Sequence, residues 1–212
     1  MKTNLLLTFL LIVALTSCRK ASVKPDPENP DLPIYSEQGL NVGGILINDK
    51  SWLNARLGLF STARPLQLYS YPNGDSIVVL LNGGYKDSNM QYQQPRTIFI
   101  VIKNIRIATD NDLLQLNGKS YNLDGNINYG GFSDSYGYNK AGNAVGNIIF
   151  GKVSEISNIT FGDGSPNNPI HHPYIVSGRL EMNLTTTTIY ALTKGRFDVT
   201  ILRSGNQFAI VL

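Results

Sequence analysis

Cysteine occurs once in these 212 residues, tryptophan once and histidine twice. A single thiol excludes an intrachain disulfide and any cluster of thiolates around a metal. The two histidines are adjacent, His171 and His172, in the Pro-bracketed run Asn167 to Pro173. Neighbouring residues of an extended chain point to opposite faces, so the pair is poorly placed for one metal ion or for a Ser-His-Asp machine. Charge is also scarce, at 16% of residues, with 18 basic against 15 acidic side chains and a net +3. No basic stripe forms, which speaks against nucleic acid as a partner. Glutamate is confined to Glu28, Glu37, Glu155 and Glu181, a thin supply for the paired carboxylates of a glycoside hydrolase.

Long apolar runs are missing except at the amino terminus. There Lys2 is followed by Leu5 to Leu15, LLLTFLLIVAL. As a helix that run would span ~16 Å, about half of a hydrocarbon core, so it has the length of a signal-peptide core and not of a membrane span. Leu15-Thr16-Ser17-Cys18 comes next, and it resembles the lipobox of bacterial lipoprotein precursors. The resemblance implies a signal peptide over 1–17, a thioether-linked diacylglycerol on Cys18 and cleavage before it. Each buried methylene contributes roughly 0.8 kcal/mol, so two or more acyl chains make a stable anchor. Arg19 stands where an Asp would favour retention at the inner membrane of some diderm bacteria. The expected address is therefore the cell envelope at the outer membrane, with the periplasmic and the outward face both open.

Residues 18–33 include RKASVKPDPENPDLP, rich in proline and nearly devoid of apolar side chains. Such a stretch predicts a flexible, solvated linker, with a reach of up to ~45 Å. The remainder of the chain, 34–212, is predicted as one domain.

Glycine (20) and tyrosine (11) are plentiful in the chain, a palette for turns and sheets. Runs rich in Val, Ile, Phe, Tyr and Thr predict strands over Val42–Asn48, Leu66–Tyr71, Ser76–Leu81, Thr97–Ile107, Asn147–Phe150, Ser154–Phe161, Tyr174–Leu184 and Arg196–Leu202. Within Thr97–Ile107 the apolar parity shifts after Ile102, which predicts a bulge or bend. Pro72-Asn73-Gly74-Asp75, Asn117-Gly118-Lys119 and Asp124-Gly125-Asn126 supply turn chemistry. Asp112 to Leu116 is the one weak helical candidate, about a turn long. The expected fold is all-β, a single antiparallel β-sandwich, with a β-barrel as the alternative.

Three segments together suggest a family. Asn48-Asp49-Lys50-Ser51-Trp52 is similar to an "N-G-K-x-W" opening, with Asp49 where glycine is commoner. Ile175 to Met182 is similar to an "I-x-G-x-F-x-F" strand, with Leu180 in place of an aromatic. Leu192 to Val199 is close to an "I-T-x-G-x-F-D-V" terminus. The ordered set resembles a group of exported β-sandwich lipoproteins of gut and environmental diderm bacteria. That resemblance implies the fold and the anchor, and it supplies no catalytic residue.

Asn126 to Asn147 is rich in Gly and Asn, with Tyr129, Phe132, Tyr136 and Tyr138 spaced through it. Aromatic faces stack on sugars while amides and hydroxyls meet their hydroxyl groups, and loops of this composition make adaptable recognition surfaces. Those four residues are the candidate ligand-binding set, with Tyr85 and Tyr92 as candidate neighbours. Trp52 is expected as a core plug beside a turn. Asp110-Asn111-Asp112 and Asp163-Gly164-Ser165 are oxygen-rich but lack the spacing of a calcium loop, so no metal and no cofactor is expected. The expectation is a non-enzymatic domain, lipid-anchored, that binds a glycan or an envelope protein. The alternatives are a structural subunit of an envelope assembly, recruited through an edge strand, and, less favoured, a hydrolase.

Overall fold

A computed structural model describes residues 24–54, 66–70, 74–86, 92–93, 97–133, 143–165, 168–204 and 207–210. Twelve strands are described: β1 (Val42–Ile47), β2 (Lys50–Asn54), β3 (Leu66–Ser70), β4 (Ser76–Lys86), β5 (Tyr92–Gln93), β6 (Thr97–Lys103), β7 (Ser120–Asp124), β8 (Tyr129–Ser133), β9 (Asn143–Glu155), β10 (Tyr174–Thr185), β11 (Ile189–Ser204) and β12 (Gln207–Ile210). A 3₁₀ helix, Asp110–Leu116, is the single helical element among the described residues.

All pairings are antiparallel. One half runs β8-β6-β4-β3, the other β7-β9-β10-β11-β12. Two seams join the halves: β3 pairs with β12, while β1 bridges β2, on the edge of β4, to β11. The sheet therefore folds over on itself around one core without closing into a barrel. The architecture is all-β and sandwich-like.

Alternation explains which side chains fill it. Ile77, Val79 and Leu81 of β4, Ile98, Ile100 and Ile102 of β6, Ile148 and Phe150 of β9, and Phe197, Val199 and Ile201 of β11 share the interior. Trp52 is fully buried there. Its neighbourhood depends on a close backbone approach, because a Cβ on Gly83 would lie 2.0 Å from the Leu53 carbonyl oxygen. The opposite faces of β4 and β6 are apolar too: Val78, Leu80, Phe99 and Val101 form a second, smaller buried cluster with Tyr69 and Tyr129. Burial on both faces accounts for the unbroken apolar runs of these two strands.

Several predicted bounds change. Asn147–Phe150 and part of Ser154–Phe161 merge into the long β9, and the chain beyond Glu155 leaves the sheet. Of the bulge or bend predicted inside Thr97–Ile107, the chain makes the bend, at Asn104, where β6 ends. Asn104 takes a left-handed φ of 58°, after which Ile105 and Ile107 turn into the core. A bulge does occur in β11, where Lys194 has φ 53° and both β10 and β1 skip one residue. Lys194-Gly195 thus interrupts a continuous strand, and the parity shift lets Leu192 and Phe197 both face inward.

The largest correction concerns the linker. Residues 24–33, expected to be solvated, lie against the outer face of β11. Leu32 is 1% exposed, Pro25 bridges Pro33, and Arg196 pairs with Asp26. Composition forecast the lack of regular structure and missed this docking, which rests on one leucine, one ion pair and hydrogen bonds from Lys194 to Asn29 and from Arg196 to the Pro33 carbonyl oxygen. The strap continues to Leu40, held by Asp198. That carboxylate is 2% exposed and accepts hydrogen bonds from the Ser36 and Ser177 hydroxyls and from the N–H groups of Gln38, Gly39 (2.7 Å) and Leu40. Asp198 points outward from its strand, and the strap seals it in.

Candidate functional site

Of the expected ligand-binding residues, Tyr129 and Phe132 are described, while Tyr136, Tyr138 and the expected lipidation residue, Cys18, lie outside the described residues. Tyr129 and Phe132 stand in β8 and not in a loop. Their register against β6 separates them: Tyr129 opposes Val101 and Phe132 opposes Ile98. Tyr129 consequently sits on the outer face, edge-on to Phe99 with ring centroids 6.4 Å apart. Phe132 turns inward, edge-on to Tyr190 at 5.2 Å. A three-residue offset in a strand reverses the facing, so this pair cannot form one recognition surface.

Phe132 leads to a different place. Tyr190, at the start of β11, and Tyr85, near the end of β4, are both half-buried and line a cleft of about 760 Å³. The β1–β2 turn and the start of β2 supply Asn48, Asp49, Lys50 and Ser51, and Asp31 of the strap stands at the rim. The turn is a two-residue hairpin loop in which Asn48 and Asp49 have φ of 48° and 63°. Two successive left-handed residues are the backbone that favours Asn-Gly, which explains why glycine suits position 49 better than aspartate. Asn48 is pinned as well, its side-chain oxygen accepting from the Ala191 N–H at 2.8 Å. Burial, reinforced by the neighbouring Tyr190, pushes the Tyr85 phenol above its ordinary value. The Tyr85 phenol therefore stays protonated at neutral pH and can donate as well as accept. Two aromatic walls beside an amide, a carboxylate, an ammonium and a hydroxyl give a cleft suited to a polyhydroxylated ligand with apolar faces.

The two histidines turn to different carboxylates. His171 Nδ1 is 2.9 Å from Asp110, which also accepts from Arg203 at 3.0 Å. His172 Nδ1 is 3.8 Å from Glu155 and 3.1 Å from the Ile159 carbonyl oxygen. Between them the Tyr174 hydroxyl donates to Asn111 at 3.1 Å. Burial, helped by the Glu155 and Asp110 charges, pushes its pKa to about 12. Each member is matched to a partner, so the cluster ties the described residues 168–173, which precede β10, to the sheet. The oxygen-rich turns are likewise self-satisfied: Asp112 accepts from the Ala108 and Thr109 N–H groups, and Asp163 from that of Ser165. Among the described residues no three His, Cys, Asp or Glu side chains gather as metal ligands.

Tyr190 escaped the sequence reading because it comes just after a run of four threonines with no motif around it; Tyr85 was noticed only as a neighbour. Comparison with family models, with curated proteins and with solved structures gives no match. A functional reading of this chain therefore rests on the geometry and the chemistry of its own residues.

Proposed function

We propose that this chain is a lipid-anchored domain of the cell envelope, on the outer membrane, that binds a glycan without altering it chemically. The Leu15-Thr16-Ser17-Cys18 sequence supports the anchor. The Tyr85–Tyr190 cleft carries the binding reading, since it pairs two half-buried aromatic rings with the polar groups of Asn48 to Ser51. A non-enzymatic role fits a cleft in which the one carboxylate of the turn, Asp49, is a hairpin residue placed by backbone geometry.

Two measurements test the two parts. Substituting Cys18→Ser is expected to move the protein from the membrane to the soluble fraction; a variant that stays membrane-bound rejects the anchor. On a glycan array the purified protein is expected to bind, and Tyr85→Ala and Tyr190→Ala to weaken that binding at least tenfold, about 1.4 kcal/mol each. Equal signals from the variants, or none from the parent protein, reject the cleft. Tyr136→Ala and Tyr138→Ala extend the series to the two remaining tyrosines of the expected set.

A further inference from the structure

Arg179 of β10 and Arg196 of β11 lie directly opposite each other across neighbouring strands, on the outer face. Like charges so placed repel, and a sheet normally avoids the arrangement. One of the two is neutralised: Arg196 pairs with Asp26 of the strap, whose carboxyl the guanidinium holds down to about 2. Arg179 has no such counter-charge among the described residues. Glu181 lies two residues further along the same face, yet no carboxylate among the described residues comes within ion-pair distance of Arg179.

Its guanidinium instead lies over the Tyr35 ring, 4.5 Å from the centroid. That platform is itself built. The Tyr35 hydroxyl donates to Glu37 at 2.9 Å, and it occupies space that any side chain at residue 151 would fill, since a Cβ on Gly151 would lie 2.2 Å from the Tyr35 oxygen. Arg179 is itself an exposed residue, and this seat is what orders its guanidinium. Stacking fixes the plane of the guanidinium and leaves the edge of its N–H fork for a ligand, the geometry that matches a carboxylate with two parallel hydrogen bonds.

Arg179 faces a cleft of about 560 Å³ between strap and sheet. On the sheet floor beside Arg179 lie Asn147, Ile149 and Glu181, with Ile149 presenting a partly exposed apolar surface; Lys194 belongs to the same lining, and Asp26, Glu28 and Asn29 come from the strap. The lining carries three acidic and three basic side chains, Asp26, Glu28 and Glu181 against Arg179, Lys194 and Arg196. Recognition here therefore depends on a positioned fork and not on a general positive field.

We infer that this strap cleft is a second binding site, separate from the tyrosine cleft, and that it takes a sugar acid. The carboxylate docks on Arg179 and the ring hydroxyls meet Asn147 and Glu181. The size suits one or two sugar units. Because no residue lines both clefts, the site holds or fails independently of the Tyr85–Tyr190 reading.

Calorimetric titration of the purified full-length protein in detergent micelles tests it, with a glucuronate-containing disaccharide and its neutral glucose counterpart as probes. The acidic disaccharide is expected to bind at least tenfold tighter than the neutral one. Arg179→Gln is expected to abolish that preference, and Arg179→Lys to lose most of it, because an ammonium keeps the charge without the fork. Tyr35→Leu is expected to weaken binding several-fold and Tyr35→Phe to restore it, which separates loss of the platform from loss of fold. Equal affinity for the two probes, no binding of either, or an Arg179→Gln protein that binds like the parent overturns the site. So does loss of acid binding in Tyr190→Ala with Arg179 intact, which would place the acid in the other cleft.

Discussion

Truncating Asp198 to alanine removes the acceptor shared by two hydroxyls and three backbone N–H groups. The Ser177 hydroxyl is fully buried and loses its partner without regaining solvent, while the strap donors, partly covered or exposed, recover water in part. Buried donors stranded in this way cost about 1–3 kcal/mol apiece, tempered here by relaxation of the strap. Asp198→Ala is expected to destabilise the protein by about 3 kcal/mol in equilibrium urea unfolding, and a change under about 1 kcal/mol would contradict the anchoring role. Asp49 makes the opposite case. It holds a left-handed φ of 63° that glycine adopts without a steric penalty. Asp49→Gly is expected to stabilise by about 0.5–1 kcal/mol, raising Tm by ~1–4 °C in a chain of this size. Neither effect is visible in composition, although position 49 already stands out in the sequence as a departure from a glycine motif.

The strap is the element whose behaviour depends on pH. Asp26 falls from the ordinary 3.8 to about 2 on folding, chiefly because Arg196 favours its charged form. A carboxyl depressed in the folded state stabilises it fully above the ordinary value, and that contribution is lost as pH falls through the folded one. Strap docking is thus expected to be constant above pH ~5 and to weaken between about 4 and 2. Amide hydrogen exchange at residues 24–40 would report it, and protection that is flat across that window, or matched in Asp26→Asn, would be inconsistent with the ion pair. Among the strands, the long Val-, Ile- and Phe-rich runs of β1, β4, β6 and β10 were legible because burial on one or both faces demands such residues. β2, β7 and β8 were not. Ser120–Asp124 and Tyr129–Ser133 carry Asn, Asp, Gly and Ser, and they are strands because they lie beside β9 and β6, not because of intrinsic preference.

For the molecule as a whole, the all-β class followed from periodicity and turn chemistry, but the joining of the two halves did not. The seams pair β1 with β11 and β3 with β12, segments far apart in the chain, and no local pattern encodes such partners. The same distance hides both clefts: Tyr85 and Tyr190, or Tyr35 and Arg179, are brought together only by that closure. Site residues drawn from one contiguous run, such as Tyr129 and Phe132, were instead divided between faces by the alternation of a strand. The docked strap also shortens the stretch of chain left between the proposed anchor at Cys18 and the body. Five residues separate Cys18 from Lys24, so a lipid at Cys18 gives a leash of at most ~20 Å, less than half the span of a free tail running to Pro33. If Cys18 carries the proposed lipid, so short a leash would moor the strap side near the bilayer, and a sugar acid bound at Arg179 would be met close to the headgroup layer, whereas a long, swinging tether would let the cleft sample distant material.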